Sequence, residues 1–293
     1  CWSDSDGGLW AIREVVAPLN KEYNNFTKGS FITMIRHTFN HLDGIGEKSE
    51  RRLWRRGILT WDDFFNCGDV EGINTDRKNQ YEGQLRQCAC ELHAGNSAYF
   101  AGLMKRREHW RLYDMFRGDA CCLDIETNGL PAGYGGYVTV VGLYDGLDWR
   151  CLLRGENLTA ERLNSELSGY KYLITFYGVA FDIPFLFRCF PGVRFDIPHF
   201  DLCFAARRLG IQGGLKKLES LFGIEREDAV RGMNGYDAVK LWAHAERGSA
   251  EALRLLLTYN REDTANLLGL ADVLYGKLRE STGIGEYVGR GCA

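Results

Sequence analysis

The sequence predicts an α/β layer fold preceded by a smaller helical region, and three observations carry that prediction. Three strand-like runs, "ACCLDIE" (120–126), "YVTVVGLYD" (137–145) and "WRCLLR" (149–154), follow one another through Gly-rich turns, the pattern of a strand meander. A segment of helical spacing, "LTAERLNSELSGY" (158–170), then leads to another short apolar run, "YLITF" (172–176). Beyond residue 201 the periodicity is almost wholly helical. A meander, a crossover helix, more strand and then helices describe a sheet covered by helices.

The elements follow in order. Residues 1–33 show no sustained periodicity and read as an uncertain N-terminal extension; the first residue is Cys, which leaves Met34 as a possible start. Residues 34–117 interleave charges with Leu, Phe and Trp and read as helical. Thr159 is the expected N-cap of the crossover helix. "FDIPFLFRCF" (181–190) opens the next helix, with Pro184 in its first turn. Helices are then expected within 201–210, 214–224, 236–248 and 249–281, and a tail over 282–293. The α/β domain is therefore placed at 118–281.

Composition narrows the function classes. Hydrophobic residues make up 45% and charged residues 26%, a balance that fits a globular chain with a sizeable core. No apolar run approaches the roughly 20 residues that cross a bilayer, and no secretory pattern opens the sequence. A cytoplasmic location is the expectation. The ten cysteines include no C-x-x-C pair, so they are read as buried or incidental thiols, with Cys88 and Cys90 the pair that most merits inspection. A net charge of −3 excludes a simple basic coat protein. It leaves room for a nucleic-acid enzyme, because acidic metal ligands lower the total. The basic residues cluster in "RRLWRR" (51–56) and "KRREHWR" (105–111).

The chemistry lies in three short stretches. In "CCLDIETNGL" (121–130), Asp124 and Glu126 are two residues apart on a strand and so face the same side. In "TFYGVAFDIPFL" (175–186), Asp182 stands at a helix start, where it either complements the helix dipole or faces a neighbouring strand. In "YNREDTANL" (259–267), Tyr259 and Asp263 are four apart on one helix face. Each has a plain structural reading alone. Their order D-x-E, F-D, Y-x-x-x-D on strand, helix start and late helix resembles the DEDD superfamily of 3′–5′ exonucleases, and the Tyr its DEDDy branch. "FDIPFL", "LKKLESLFGI" and "YNREDTANL" are closest to the YprB-type ribonuclease H-like domain.

That resemblance implies a ribonuclease H-like mixed sheet and two divalent ions, Mg²⁺ or Mn²⁺, held by Asp124, Glu126, Asp182 and Asp263. Asp124 would bridge the two ions, and Tyr259 would orient the attacking water. Such pairs of ions stabilise both the attacking and the leaving oxygen in phosphodiester hydrolysis. One departure is plain: members often carry Asn five residues before the second-motif Asp, where this chain has Tyr177. An aromatic ring there can stack on a base instead. Asp201 reads as support for the site or for a helix start, with a further metal ligand as the alternative.

Ahead of this domain, "HLDGIGEKSERRLWRRGILTWDDFF" (41–65) resembles a helix-hairpin-helix element, with a second helix beginning near Thr60. Gly44 and Gly46 would bring backbone N–H groups near a phosphate, with Lys48, Arg51, Arg52 and Arg55 adjacent. A protein-docking hairpin is the alternative. In "YFAGLMKRREHWRLYDMF" (99–116), Arg106, Arg107 and Arg111 either line a substrate path or form a solvated face, and His109 is read as structural. The resulting expectation is a metal-dependent 3′–5′ exonuclease on single-stranded or frayed DNA or RNA. A structure-specific endonuclease on the same fold is one alternative, and a non-catalytic nucleic-acid-binding or scaffold protein the other.

Overall fold

The computed structural model describes residues 33–288. Apart from Thr33, the expected N-terminal extension lies outside them, as do residues 289–293. A single 3₁₀ turn at Met34–His37 precedes helices α1 (Glu47–Arg55), α2 (Trp61–Asn66), α3 (Thr75–His93) and α4 (Ser97–Leu103). Strands β1 (Ala120–Thr127), β2 (Val138–Tyr144) and β3 (Trp149–Leu153) form the meander. Helix α5 (Ala160–Leu167) crosses to β4 (Tyr172–Thr175), and α6 (Asp182–Cys189) leads to β5 (His199–Asp201). Helices α7 (Leu202–Arg208), α8 (Leu215–Phe222), α9 (Gly235–Ala245) and α10 (Ala250–Thr282) complete the layer.

The sheet order is β3-β2-β1-β4-β5. β1 pairs antiparallel with β2 and parallel with β4, which itself pairs parallel with β5. The sheet is therefore mixed, and β1 is its centre. Because side chains alternate along a strand, β1 sends its residues into two cores. Cys121, Leu123 and Ile125 pack with Leu163, Leu167, Phe185 and Leu186 from α5 and α6. Cys122 faces the larger core, which holds Leu256, Leu257, Leu270 and Leu274 from α10. Asp124 and Glu126 continue this second face. The register between β1 and β2 shifts between Glu126 and Thr127, a bulge of the kind that re-aims side chains next to active sites.

Helix α10 has 33 residues and so spans about 50 Å. Ser249 caps its start by accepting from the Ala252 N–H at 3.2 Å, and Gly283, with φ +77°, ends it in the left-handed conformation. Thr159 caps α5 as expected, accepting from the Arg162 N–H at 3.1 Å. Thr60 caps α2 and is reciprocated by Asp63, so a second helix does begin there.

The front helices share the larger core: Trp54, Trp61, Phe64 and Tyr113 are fully buried in the same cluster as Leu270 and Leu274. Within the region read as helical, the stretch 99–116 is three pieces rather than one continuous helix. α4 stops at Met104, whose backbone is extended, and a 3₁₀ segment (Arg106–Leu112) and a helical turn (Tyr113–Phe116) follow. The break turns Arg111 inward, 1% exposed, where it pairs with Glu50 at 3.0 Å and Glu108 at 2.7 Å. Arg111 is thus no part of a solvated or substrate-lining face, whereas Arg106 and Arg107 are exposed. His109 is structural: its Nδ1 accepts from the His199 N–H at 3.0 Å, and burial holds its pKa down.

Candidate active site

Asp124, Glu126 and Asp263 converge. One carboxylate oxygen from each lies within 4.8 Å of the others, and this is the metal-ligand cluster found among the described residues. Asp124 is half-buried, while Glu126 and Asp263 are buried. The first two come from the centre of the sheet and the third from the face of α10 laid across it. Asp182 opens α6 beside this group, where its Oδ1 accepts from the Ile125 N–H at 3.2 Å. It stands outside the three-residue cluster, though its charge acts on both Asp124 and Glu126.

The electrostatics follow from crowding acids in a dry place. Burial, then the charges of Glu126, Asp263 and Asp182, raise the Asp124 pKa well above the usual carboxylate range. Burial and Asp263 do the same to Glu126. Burial pushes Asp182 up to about 7. Asp263 is also raised by burial, but the Arg226 guanidinium opposes that shift. Like charges this close cannot all ionise without a compensating cation.

Several partners of the acids lay outside the motif reading. The Asn260 amide donates to Asp124 Oδ2 at 3.0 Å and approaches Glu126 Oε1 at 3.5 Å. Arg226 forms an ion pair with Asp263 and a two-pronged pair with Glu219 at 2.6 and 2.8 Å. Lys216 donates to the Tyr259 hydroxyl at 3.2 Å. Tyr259 also lies against Asp263; burial and the Asp263 charge drive its pKa up, so it keeps its proton. Asn260 follows Tyr259 directly, and Lys216 and Glu219 lie inside "LKKLESLFGI". Adjacency to those motifs was the available signal. Arg226 sits in a loop and carried none.

The donor set fits a hard divalent ion, since it is made of carboxylate oxygens alone. The buried Asn260 Oδ1, which has no hydrogen-bond partner among the described residues, adds a polar atom beside the cluster. Asp201 serves as support, as read: its carboxylate accepts from the N–H groups of Tyr177, Val179, Cys203 and Phe204. Tyr177 is exposed beyond the end of β4. Of the hairpin residues, Gly44 adopts φ +74° and Gly46 caps α1, while Lys48, Arg51, Arg52 and Arg55 are exposed. The first turn of α1 is already acidic, with Glu47 pairing to Arg208 at 2.8 Å.

A central strand bearing two acids, faced by a third on a long helix in a mixed five-stranded sheet, defines a ribonuclease H-like α/β domain. The RNase H superfamily model matches residues 121–275, more than half of the chain, and the chain belongs to that superfamily. A solved structure described as the apo form of a nuclease is similar over 63% of this chain and 82% of its own, at 22% identity and a TM-score of 0.42. No curated protein matches the chain significantly.

Proposed function

We propose that the protein is a metal-dependent nuclease, a 3′–5′ exonuclease acting on single-stranded or frayed ends of DNA or RNA. The observation that carries the reading is the convergence of Asp124, Glu126 and Asp263 within 4.8 Å, with Tyr259 one helical turn before Asp263 on the same face of α10. Asp124, Glu126 and Asp263 would hold the first ion, and Asp124 with Asp182 the second. When bound, two divalent ions supply positive charge to the attacking and leaving oxygens of the phosphodiester.

The chain's own residues do the rest. Asn260 fixes the Asp124 carboxylate by donating to its Oδ2. Tyr259, kept protonated by burial and by the neighbouring acids and held by Lys216, positions a water at the edge of the cluster. Lys216, whose pKa burial lowers, offers a cation for a phosphate oxygen. The exposed Lys48, Arg51, Arg52 and Arg55, with Gly44 and Gly46, would hold the strand by its phosphates without reading sequence.

The test is degradation of 3′- and 5′-labelled single-stranded DNA and RNA with Mg²⁺ or Mn²⁺, comparing wild type with Asp124→Ala. A ladder shrinking from the 3′ end, absent in the variant and with chelator, supports the exonuclease. Internal cuts indicate an endonuclease on the same fold. Binding without cleavage under either metal indicates a non-catalytic scaffold.

A further inference from the structure

Tyr177 is the one non-glycine residue among those described with a positive φ, +66°. A bulky side chain in that region is strained and persists only where surroundings impose it. Asp201 imposes it. Its Oδ1 accepts from the Tyr177 N–H at 3.0 Å and its Oδ2 from the Val179 N–H at 3.0 Å. The same carboxylate accepts from Cys203 and Phe204 at the start of α7. One buried acid therefore fixes both the turn that carries Tyr177 and the helix end that carries Phe204.

The consequence is a built aromatic surface. The Tyr177 and Phe204 rings lie 5.9 Å apart with an interplanar angle of 23°, yet they remain 41% and 43% exposed. The Arg207 guanidinium sits 5.5 Å from one ring and 5.4 Å from the other. Among the described residues neither Arg207 nor Arg106 has a carboxylate partner. Both line a cleft of about 570 Å³ that opens beside Phe204, and Arg106 also lines a neighbouring cleft of about 620 Å³. The flanking cations are thus free to meet an anion, and the rings are free to meet a flat one.

We propose that Tyr177, Phe204 and Arg207 form a base-stacking platform for single-stranded nucleic acid, with the strand's phosphates running toward Arg106. The platform stands at the C-terminal end of β4, five residues before Asp182, so a strand stacked there continues into the carboxylate cluster. Aromatic faces accept any base, and an arginine beside them adds attraction without sequence readout. The platform deepens the nuclease reading and rests on it for its choice of ligand.

The test is fluorescence anisotropy of a labelled oligothymidylate with the full chain in chelator, where nothing is cut. It is repeated with an abasic strand of equal length. Tyr177→Gly is the decisive variant, because glycine adopts the left-handed backbone freely and only the ring is lost. With Phe204→Ala as a second variant, each is expected to weaken binding to oligothymidylate by about 5- to 100-fold and to leave binding to the abasic strand unchanged. Wild-type affinity in both variants, an equal loss on the abasic strand, or no binding by wild type overturns the platform. Cleavage by wild type with unimpaired variants would retain the nuclease and remove the platform. Ring-dependent binding without cleavage under either metal would do the reverse.

Discussion

Gly142 stands directly opposite Asp124 in the pairing of β2 with β1, and it faces Asn260 of α10. A Cβ at this position would fall deep inside van der Waals contact of the Asn260 Oδ1 and 2.6 Å from Thr264 Oγ1. The absence of a side chain there is what lets α10 approach closely enough for Asn260 to reach the carboxylate. Gly142→Ala is expected to cost about 1–3 kcal/mol through overpacking, visible as a lowered melting temperature. It should also weaken Mn²⁺ binding by about 10- to 100-fold, the usual consequence of displacing a ligand's hydrogen-bond partner. Calorimetry reads the second effect, and unchanged Mn²⁺ affinity would mean that Asn260 does not orient Asp124.

Arg226 holds two acids at once. Glu219 is 2% exposed and depends on Arg226, with help from Asn266 at 3.0 Å. Removing one partner of a buried pair leaves the other charge uncompensated, so Arg226→Ala should lose about 3–5 kcal/mol in a denaturant titration. Replacing both members by apolar residues, Arg226→Met with Glu219→Leu, should recover most of that loss. A double variant as unstable as the single one would show that the Arg226–Asp263 contact, not Glu219, carries the stability.

How much of this was legible in the sequence depends on whether the signal was periodic. β1, β2 and β3 and the cap at Thr159 were readable because alternation and capping are local properties. The three converging acids were readable as spacing within motifs. The inward turn of Arg111 was not, because nothing in "KRREHWR" says which cation finds two buried carboxylates waiting. Arg226 and Gly142 were invisible for the same reason. Their roles exist only once α10 is laid across β1 and β2, and no local pattern records that crossing.

The acid cluster sets the sign of the pH dependence. Asp182 has an ordinary value of 3.8 and is pushed up to about 7 by burial, and Asp124 and Glu126 are raised as well. Between these limits these three carboxylates hold more protons in the folded, metal-free protein than in the unfolded chain. Their contribution to stability is therefore fully present below about pH 4 and is lost as pH rises toward 7. Saturating Mg²⁺ should reverse the trend, because binding requires ionised carboxylates and releases protons. Melting curves across this range, with chelator and with Mg²⁺, should cross. Asp182→Asn should flatten the chelator curve, and a metal-free stability that rises with pH would remove the cluster as its cause.

Arg111 joins the front helices to the α/β layer through Glu108, which also pairs with Arg208 of α7 at 2.9 Å. It pairs with Glu50 of α1 and with Glu108, and Glu50 also accepts from the Phe39 N–H at 2.7 Å. The apolar core is continuous across the same boundary, from Met34 to Ile284. Unfolding of the front helices should therefore expose the face of α10 that backs the site, and the two regions should melt together. Arg111→Met leaves Glu50 buried without its cation and is expected to lower stability by about 3–5 kcal/mol. Scanning calorimetry should record one transition in wild type and one, at lower temperature, in the variant. Two transitions in wild type would show that residues 34–117 fold as a separate unit and that the shared core does not couple them. Two in the variant alone would place the coupling in this one buried guanidinium.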